Sequence, residues 1–185
     1  DVTVDPKGLA ITGAGRLGEV PFDVTYSQSF APDQKGRSKI KGEIVLSQAV
    51  AEEFGLGLPT GMVAGKGPAA VTIDLVKGAA GKLSLTSGLT GIGLTIPEIG
   101  WTKAAASKGR LVADVTLGAV PKVDRLTVEA GGLKAEGKVT MRADGGGLDL
   151  ARFDRVTLDK WLDSTVELSG RGPGKPVGIA LKGGS

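Results

Sequence analysis

Six residues, Gly13-Ala-Gly15-Arg-Leu-Gly18, match the dinucleotide-binding fingerprint letter for letter, and Asp33 lies about 20 residues further on, where that motif places its acid. The fingerprint binds pyrophosphate only when a helix starts inside it, because the phosphates sit on a helix N-terminus. Here Glu19-Val-Pro-Phe-Asp-Val-Thr-Tyr26 comes next, alternating apolar and polar residues and carrying Pro21. That is a strand, and Asp33 falls in a loop, so the glycines are expected to bend or bulge a strand. Gly65-Lys66-Gly67-Pro68 has the look of a phosphate loop. However, Thr60 stands where the first glycine belongs, no Ser or Thr comes after Lys66, and Pro68 removes an amide donor.

Paired acids could do acid–base work, and the candidates are Asp159 with Asp163 and Glu52 with Glu53. The chain has no histidine and no cysteine, which removes the usual general base, thiol chemistry, disulfides and the commonest metal ligands. The acids therefore read as solvated surface groups, and no cluster has metal-ligand spacing. A Ser–Lys pair leaves no mark in sequence, since its members meet only in space, and no serine is set apart. Trp101 and Trp161 stand out in an aromatic-poor chain. Trp161, after Leu158-Asp-Lys, is expected to plug one end of the core. Trp101, beside the Pro-Glu-Ile-Gly turn, is expected to cover core or edge. The sequence points to no cofactor and no catalytic residue.

The elements that would carry these residues are strands. In Arg110-Leu-Val-Ala-Asp-Val-Thr-Leu117, Leu111, Ala113, Val115 and Leu117 share one face, the pattern of a strand buried on one side. The same alternation marks Leu9, Ile11 and Leu17; Val20 to Tyr26; Ile40, Ile44 and Leu46; Val71, Ile73 and Leu75; Leu83 and Leu85; and Ile92, Leu94 and Ile96. It returns in Leu126 and Val128, Leu133 to Met141, Leu148 and Leu150, Val156 and Leu158, Val166 and Leu168, and Val177 to Leu181. Val2 and Val4 already look like strand. Glycine turns such as Ala130-Gly-Gly132 and Asp144-Gly-Gly-Gly147 join them. One short helix breaks the rhythm near 47–55, with Ser47 as N-cap, Val50 and Phe54 inward, and Gly55 past its end; Leu56-Gly-Leu-Pro59 closes it.

No helix of crossover length separates the strands, so parallel βαβ units are excluded. The sequence predicts one all-β domain over 1–185: an antiparallel meandering sheet of about ten or more strands, curled into a groove or a sandwich. With 31 glycines, 9 prolines and 41% hydrophobic residues it is neither disordered nor low in core material. The net charge of +3 is spread among acids, with no basic stripe carrying interleaved aromatics, so nucleic acid is not an expected partner. No apolar run approaches the roughly 20 residues of a membrane helix. The chain opens at Asp1 already in strand, which reads as an excised or processed segment with any membrane anchor outside it.

So many one-sided strands give an apolar face too wide to leave flat. It must close as a sandwich, close as a barrel, or stay open as a trough whose lining meets something apolar, for which acyl chains would serve. Leu83-Ser-Leu-Thr-Ser-Gly-Leu-Thr-Gly-Ile-Gly-Leu-Thr-Ile-Pro-Glu-Ile-Gly-Trp-Thr-Lys103 resembles the recurrent strand–turn segment of AsmA-like bacterial envelope proteins of the YhdP and TamB type. Gly18-Glu-Val-Pro-Phe-Asp-Val-Thr-Tyr26 is similar to their two-strand unit, and Phe54-Gly-Leu-Gly-Leu-Pro59 to the helix exit before Gly65-Lys-Gly-Pro68. The likeness runs over about residues 8–182, and it departs at Gly88, where the family often has an acid.

The resemblance implies a periplasmic protein tethered to the inner membrane by a segment not present here. It implies a part in outer-membrane biogenesis, an extended β-groove that shields or carries phospholipid between membranes, envelope proteins as further partners, and no catalytic residues. The expected lining is Leu83, Leu85, Ile92, Leu94, Ile96, Leu111, Val115 and Leu117. Two other readings stand beside it: a closed β-scaffold acting through protein contacts, and a β-rich hydrolase or glycan-active enzyme.

Overall fold

The computed structural model describes residues 1–17, 20–53, 58, 61–145, 147–172, 175 and 177–184. Its strands are β1 (Val2–Asp5), β2 (Gly8–Leu17), β3 (Val20–Ser29), β4 (Arg37–Ser47), β5 (Val63–Val76), β6 (Lys82–Ser87), β7 (Ile92–Ile96), β8 (Trp101–Lys103), β9 (Gly109–Thr116), β10 (Lys122–Ala130), β11 (Leu133–Met141), β12 (Leu148–Leu158), β13 (Leu162–Ser169) and β14 (Gly178–Gly184). A helix, α1 (Gln48–Glu53), comes after β4. Its first turn is capped as expected: the Ser47 hydroxyl accepts from the Val50 amide at 3.4 Å. Val50 is buried; Phe54, Gly55 and the exit through Pro59 lie outside the described residues, apart from Leu58.

The architecture is all-β and every pairing is antiparallel. The main path runs β1-β2-β3-β4-β5-β6-β9-β10-β11-β12-β13-β14, a meander interrupted once, and its ends do not meet, so the sheet is not a closed barrel. The interruption is β7 and β8. The fourteen-residue β5 pairs with β4 along nearly its whole length, whereas its other edge is shared. Ala70–Asp74 pair with β6, and Val63–Gly65 pair with β7, which turns back through β8. The hairpin β7–β8 thus leaves the main path as a flap.

The flap depends on two backbones touching where β5 meets the β6–β7 corner. The Lys66 amide donates to the Gly91 carbonyl at 3.0 Å. Gly91 has φ +86°, and a Cβ built there would lie 2.2 Å from the Lys66 oxygen. Only glycine fits both demands. The segment Gly65-Lys66-Gly67-Pro68 is this crossing, a strand and not a phosphate loop.

Beneath the flap lies a buried apolar cluster. Leu89, Ile92 and Trp101 join Ala130, Leu133, Val156 and Leu158 in one buried cluster, with Leu46, Val63, Leu111, Phe153 and Val166 packed against it. Strands far apart along the sheet therefore meet through the flap, which plugs one end of the curled sheet.

Two expectations are corrected. Gly13 and Gly15 put no bulge in β2, whose register against β3 is unbroken from Gly8↔Ser29 to Leu17↔Val20. At Gly15 the missing side chain leaves room for the Phe22 ring, whose Cζ lies 2.6 Å from where a Cβ would stand. Gly18 and Glu19 lie outside the described residues, and the next element along the chain is the strand β3, not a helix. Trp161 does not plug the core. It sits on the turn after Leu158, beside Asp159 with its left-handed φ of +48°, and is 60% exposed. Leu158 takes the inward place and the turn carries the indole out into solvent. Trp101 fills the core instead.

Candidate functional site

The register joins one apolar residue from each strand of the main path into an unbroken row. It runs Val2, Ile11, Tyr26, Ile40, Ile73, Leu83, then Val115, Val123, Val139, Ala151, Leu168 and Ile179. Each of these residues is the direct cross-strand partner of the next, so all point to one face. A second row beside it carries Val24, Val71, Leu85, Leu126, Phe153 and Leu181 with smaller residues between. Twelve strands at roughly 4.8 Å make such a row on the order of 50 Å long.

The opposite face is polar for the same geometric reason. Thr12, Thr25, Lys41, Thr72, Ser84, Asp114 and Arg125 are successive cross-strand partners there. Their side chains bond one another: the Ser84 hydroxyl meets Asp114 at 2.9 Å, and Arg155 holds Asp163 through two bonds of 3.0 and 2.6 Å. The acids whose ionisation is shifted are shifted downward. The Asp163 carboxyl is held below its ordinary range by its bond to the Arg155 guanidinium, Glu167 by Lys182, and Asp124 first by the Thr116 hydroxyl and then by Lys82. These are surface ion pairs, the opposite of a carboxyl raised for use as an acid. Asp159 is exposed, and Glu52 accepts from Gln48 on α1. Among the described residues no group of acids could hold a metal ion. A cleft beside α1, lined by Arg16, Ser47, Gln48 and Lys66 among Pro21, Val45, Val50 and Val63, has no carboxylate among its described lining residues.

The eight expected lining residues divide between the sheet and the flap. Leu83, Leu85, Leu111 and Val115 share the apolar face of β6 and β9, with Leu83 directly opposite Val115. Leu117 comes just after β9 and lies over Gly81 beside Leu75. Ile92, Leu94 and Ile96 belong to β7: Ile92 is inside the buried cluster at 2% exposure, and the other two pack against it. The structure brings Leu111 and the β7 residues together under the flap and leaves Leu83 and Val115 further along the face.

Away from the flap the apolar face is not covered. Its middle is half-buried by neighbouring strands, and its two ends are open: Val2 is 61% exposed, Val4 65%, Ile179 50% and Leu181 61%. Among the described residues no large side chain is fully enclosed. The face is dry beneath the flap and wet at β1 and β14.

Sequence reading missed Lys103, which helps to build the dry end, and the anchor that fixes Trp101. Lys103 is 3% exposed, and its ammonium donates to the carbonyls of Leu89 (2.7 Å), Ile92 (2.8 Å) and Ala104 (3.0 Å). Burial lowers its pKa, while the three carbonyls supply the hydrogen bonds that a buried cation needs. The Trp101 indole donates to the Gly131 carbonyl at 2.9 Å, tying the flap to the β10–β11 turn. The partners of both are main-chain atoms, which no residue pattern announces. No protein-family model, no curated protein and no solved structure matches this chain.

Proposed function

We propose that this chain is a non-enzymatic periplasmic segment of an AsmA-like protein, acting in outer-membrane biogenesis by shielding acyl chains along its apolar face. The observation that carries this reading is the unbroken apolar row across the twelve strands of the main path, backed by a polar face and open at both ends. A partly exposed apolar surface of that extent is a liability in a monomer unless something apolar covers it. An acyl chain suits it, because each methylene moved from water onto such a face gains about 0.8 kcal/mol without any directional bond. Headgroups would stay in water at the rims, and transfer would be driven by partitioning alone. On this reading the partner is phospholipid, and envelope proteins hold the segment in place between inner and outer membranes.

Native mass spectrometry of gently purified protein tests this. Co-purifying lipid, lost on organic extraction and regained from vesicles of phosphatidylethanolamine and phosphatidylglycerol, is the expected result. Protein that never carries or takes up lipid overturns it, and leaves the scaffold reading. The flap-filled core is the observation that favours a scaffold, since that end already satisfies itself with side chains.

A further inference from the structure

We propose that the strand-end loops opposite the flap form a cationic rim that holds the phosphate headgroup of an anionic phospholipid, whose acyl chains lie along the strands toward the flap. This rests on the acyl-shielding reading above and adds which way the lipid lies and which headgroup it favours. Antiparallel order puts the turns β1–β2, β3–β4, β5–β6, β9–β10, β11–β12 and β13–β14 at one end of the sheet, and the flap and α1 at the other. In sequence those six connections carry Lys7, Lys35, Lys77, Arg142, Arg171 and Lys175 against Asp33 and Asp144. The connections at the flap end carry more acids than cations, and one of their cations, Lys103, is buried.

Part of the rim is neutralised locally: Arg142 holds Asp144, and Lys82 and Lys122 share Asp124. Lys7, Lys35, Lys77 and Arg37, the first residue of β4, form no ion pair with any described residue. Their loops are neighbours: the Phe30 amide donates to the Lys7 carbonyl at 2.9 Å, and the Lys77 amide to the Gly36 carbonyl at 2.8 Å. These bonds carry the β2–β3 and β4–β5 ladders one residue past their ends. By alternation Phe30 leaves the sheet on the side of Tyr26, and Lys77 on the side of Ile73, which is the apolar face. Phe30 is 50% exposed. At this end, therefore, the apolar face is bordered by a cation and an exposed aromatic ring.

That is the chemistry a phospholipid meets at a bilayer interface, where aromatic rings sit at headgroup level and cations attract anionic lipids. The dimensions agree. Lys77 lies ten residues of chain from Gly67 at the flap crossing, roughly 33 Å of strand at about 3.3 Å per residue. The acyl chains of one leaflet span about half of the ~30 Å bilayer core, so they fit between rim and flap. The reverse orientation sets the phosphate at the acidic end, beside a flap that already fills its end with side chains. A zwitterionic headgroup carries an ammonium that the rim repels, whereas phosphatidylglycerol brings its phosphate charge with hydroxyls alone. The rim therefore favours the anionic lipid, and because Lys7, Lys35, Arg37 and Lys77 are exposed, salt screens the preference.

Competition read by native mass spectrometry tests it. Delipidated protein is loaded from vesicles of equimolar phosphatidylglycerol and phosphatidylethanolamine with the same acyl chains. Wild type is expected to carry phosphatidylglycerol about fivefold over phosphatidylethanolamine at low salt, falling toward parity at about 1 M salt, where the Debye length is about 3 Å. Lys35→Glu with Lys77→Glu is expected to bring the ratio to parity or below while phosphatidylethanolamine is still taken up. Lys108→Glu with Lys160→Glu makes the same change in net charge on exposed residues at the flap end, and is expected to keep the wild-type ratio. Lys35→Gln with Lys77→Gln repeats the first arm should charge reversal disturb the loops, with circular dichroism reporting the fold. Lipid carried without preference by wild type overturns the rim and leaves the acyl-shielding reading standing. So does a ratio that the rim variants leave unchanged, or one that falls equally in the flap-end variant. Protein that takes up neither lipid overturns both readings. Glycerol 3-phosphate retained as firmly as the lipid would make the rim a small-anion site and overturns the lipid's orientation.

Discussion

At the scale of single residues, the polar side chains divide by the solvent they face. Lys103 is a cation buried beside the apolar cluster, and it survives there because three carbonyls surround its ammonium. Lys103→Met keeps the stem and removes the donors. The desolvation cost of the cation disappears; the Leu89 carbonyl keeps the Ile92 amide and the Ala104 carbonyl keeps the Ser107 amide and hydroxyl, so the loss falls chiefly on the Ile92 carbonyl, at about 1–3 kcal/mol if it stays buried and unpaired. The lost bonds outweigh the relieved desolvation, and the variant is expected to unfold at lower urea concentration, by about 1 kcal/mol in linear extrapolation. An unchanged midpoint would show that the cage contributes nothing. On the polar face Asp163 offers the contrasting case. Arg155 holds its carboxyl below the ordinary 3.8, so the folded state binds its proton later than the unfolded chain as pH falls. Its stabilisation is therefore present above about pH 3.8 and is lost as pH drops through the lower folded value. Asp163→Asn is expected to flatten the acid limb of stability against pH while changing neutral stability little, since both partners are exposed. A steepened acid limb would contradict this.

At the scale of elements, the flap is the feature that periodicity could not supply. Most strands of the main path were legible because they alternate over five or more residues, as Leu111 to Leu117 does, while the four-residue β1 shows only Val2 and Val4. The strand β8 has three residues after a Pro-Gly turn, too few to alternate, and its inward residues are a tryptophan and a lysine. The first half of β5 was hidden because Gly65-Lys66-Gly67-Pro68 has loop composition, and its glycines answer to a backbone contact made with a distant segment of the chain. That contact can be broken by itself. Gly91→Ala adds a Cβ 2.2 Å from the Lys66 oxygen at a φ of +86°, and the strain is expected to cost at least about 2 kcal/mol and to loosen the flap. Gly88, three residues earlier, has open space where a Cβ would go, so Gly88→Ala is expected to stay within about 0.5 kcal/mol of wild type. Hydrogen exchange at Gly91, Leu94 and Lys103 separates local release of the flap from global unfolding. Equal effects from the two glycines would remove the backbone crossing as the flap's anchor.

At the scale of the whole molecule, the sheet is a surface with two sides of opposite chemistry, and adjacent residues of one strand report on them separately. Leu85 lies in an apolar row between Val71 and Ala113, while Thr86 lies on the polar face between Ala70 and Val112. A carboxylate placed at either position adds the same charge to the same strand, with similar effect on its propensity. What differs is what the charge meets. Leu85→Glu sets an ion beside the proposed path of acyl chains, where an unpaired carboxylate loses its hydration, whereas Thr86→Glu stays in water. If lipid occupies the apolar face, Leu85→Glu is expected to lower lipid retained in native mass spectrometry at least tenfold, and Thr86→Glu to leave it near wild type. Circular dichroism on both variants checks that the sheet persists. Equal retention in the two would place any bound lipid elsewhere, and equal loss would trace it to general unfolding of the sheet. The two-residue period that first marked these strands in the sequence is thereby also the control, because moving the charge by one residue moves it through the sheet.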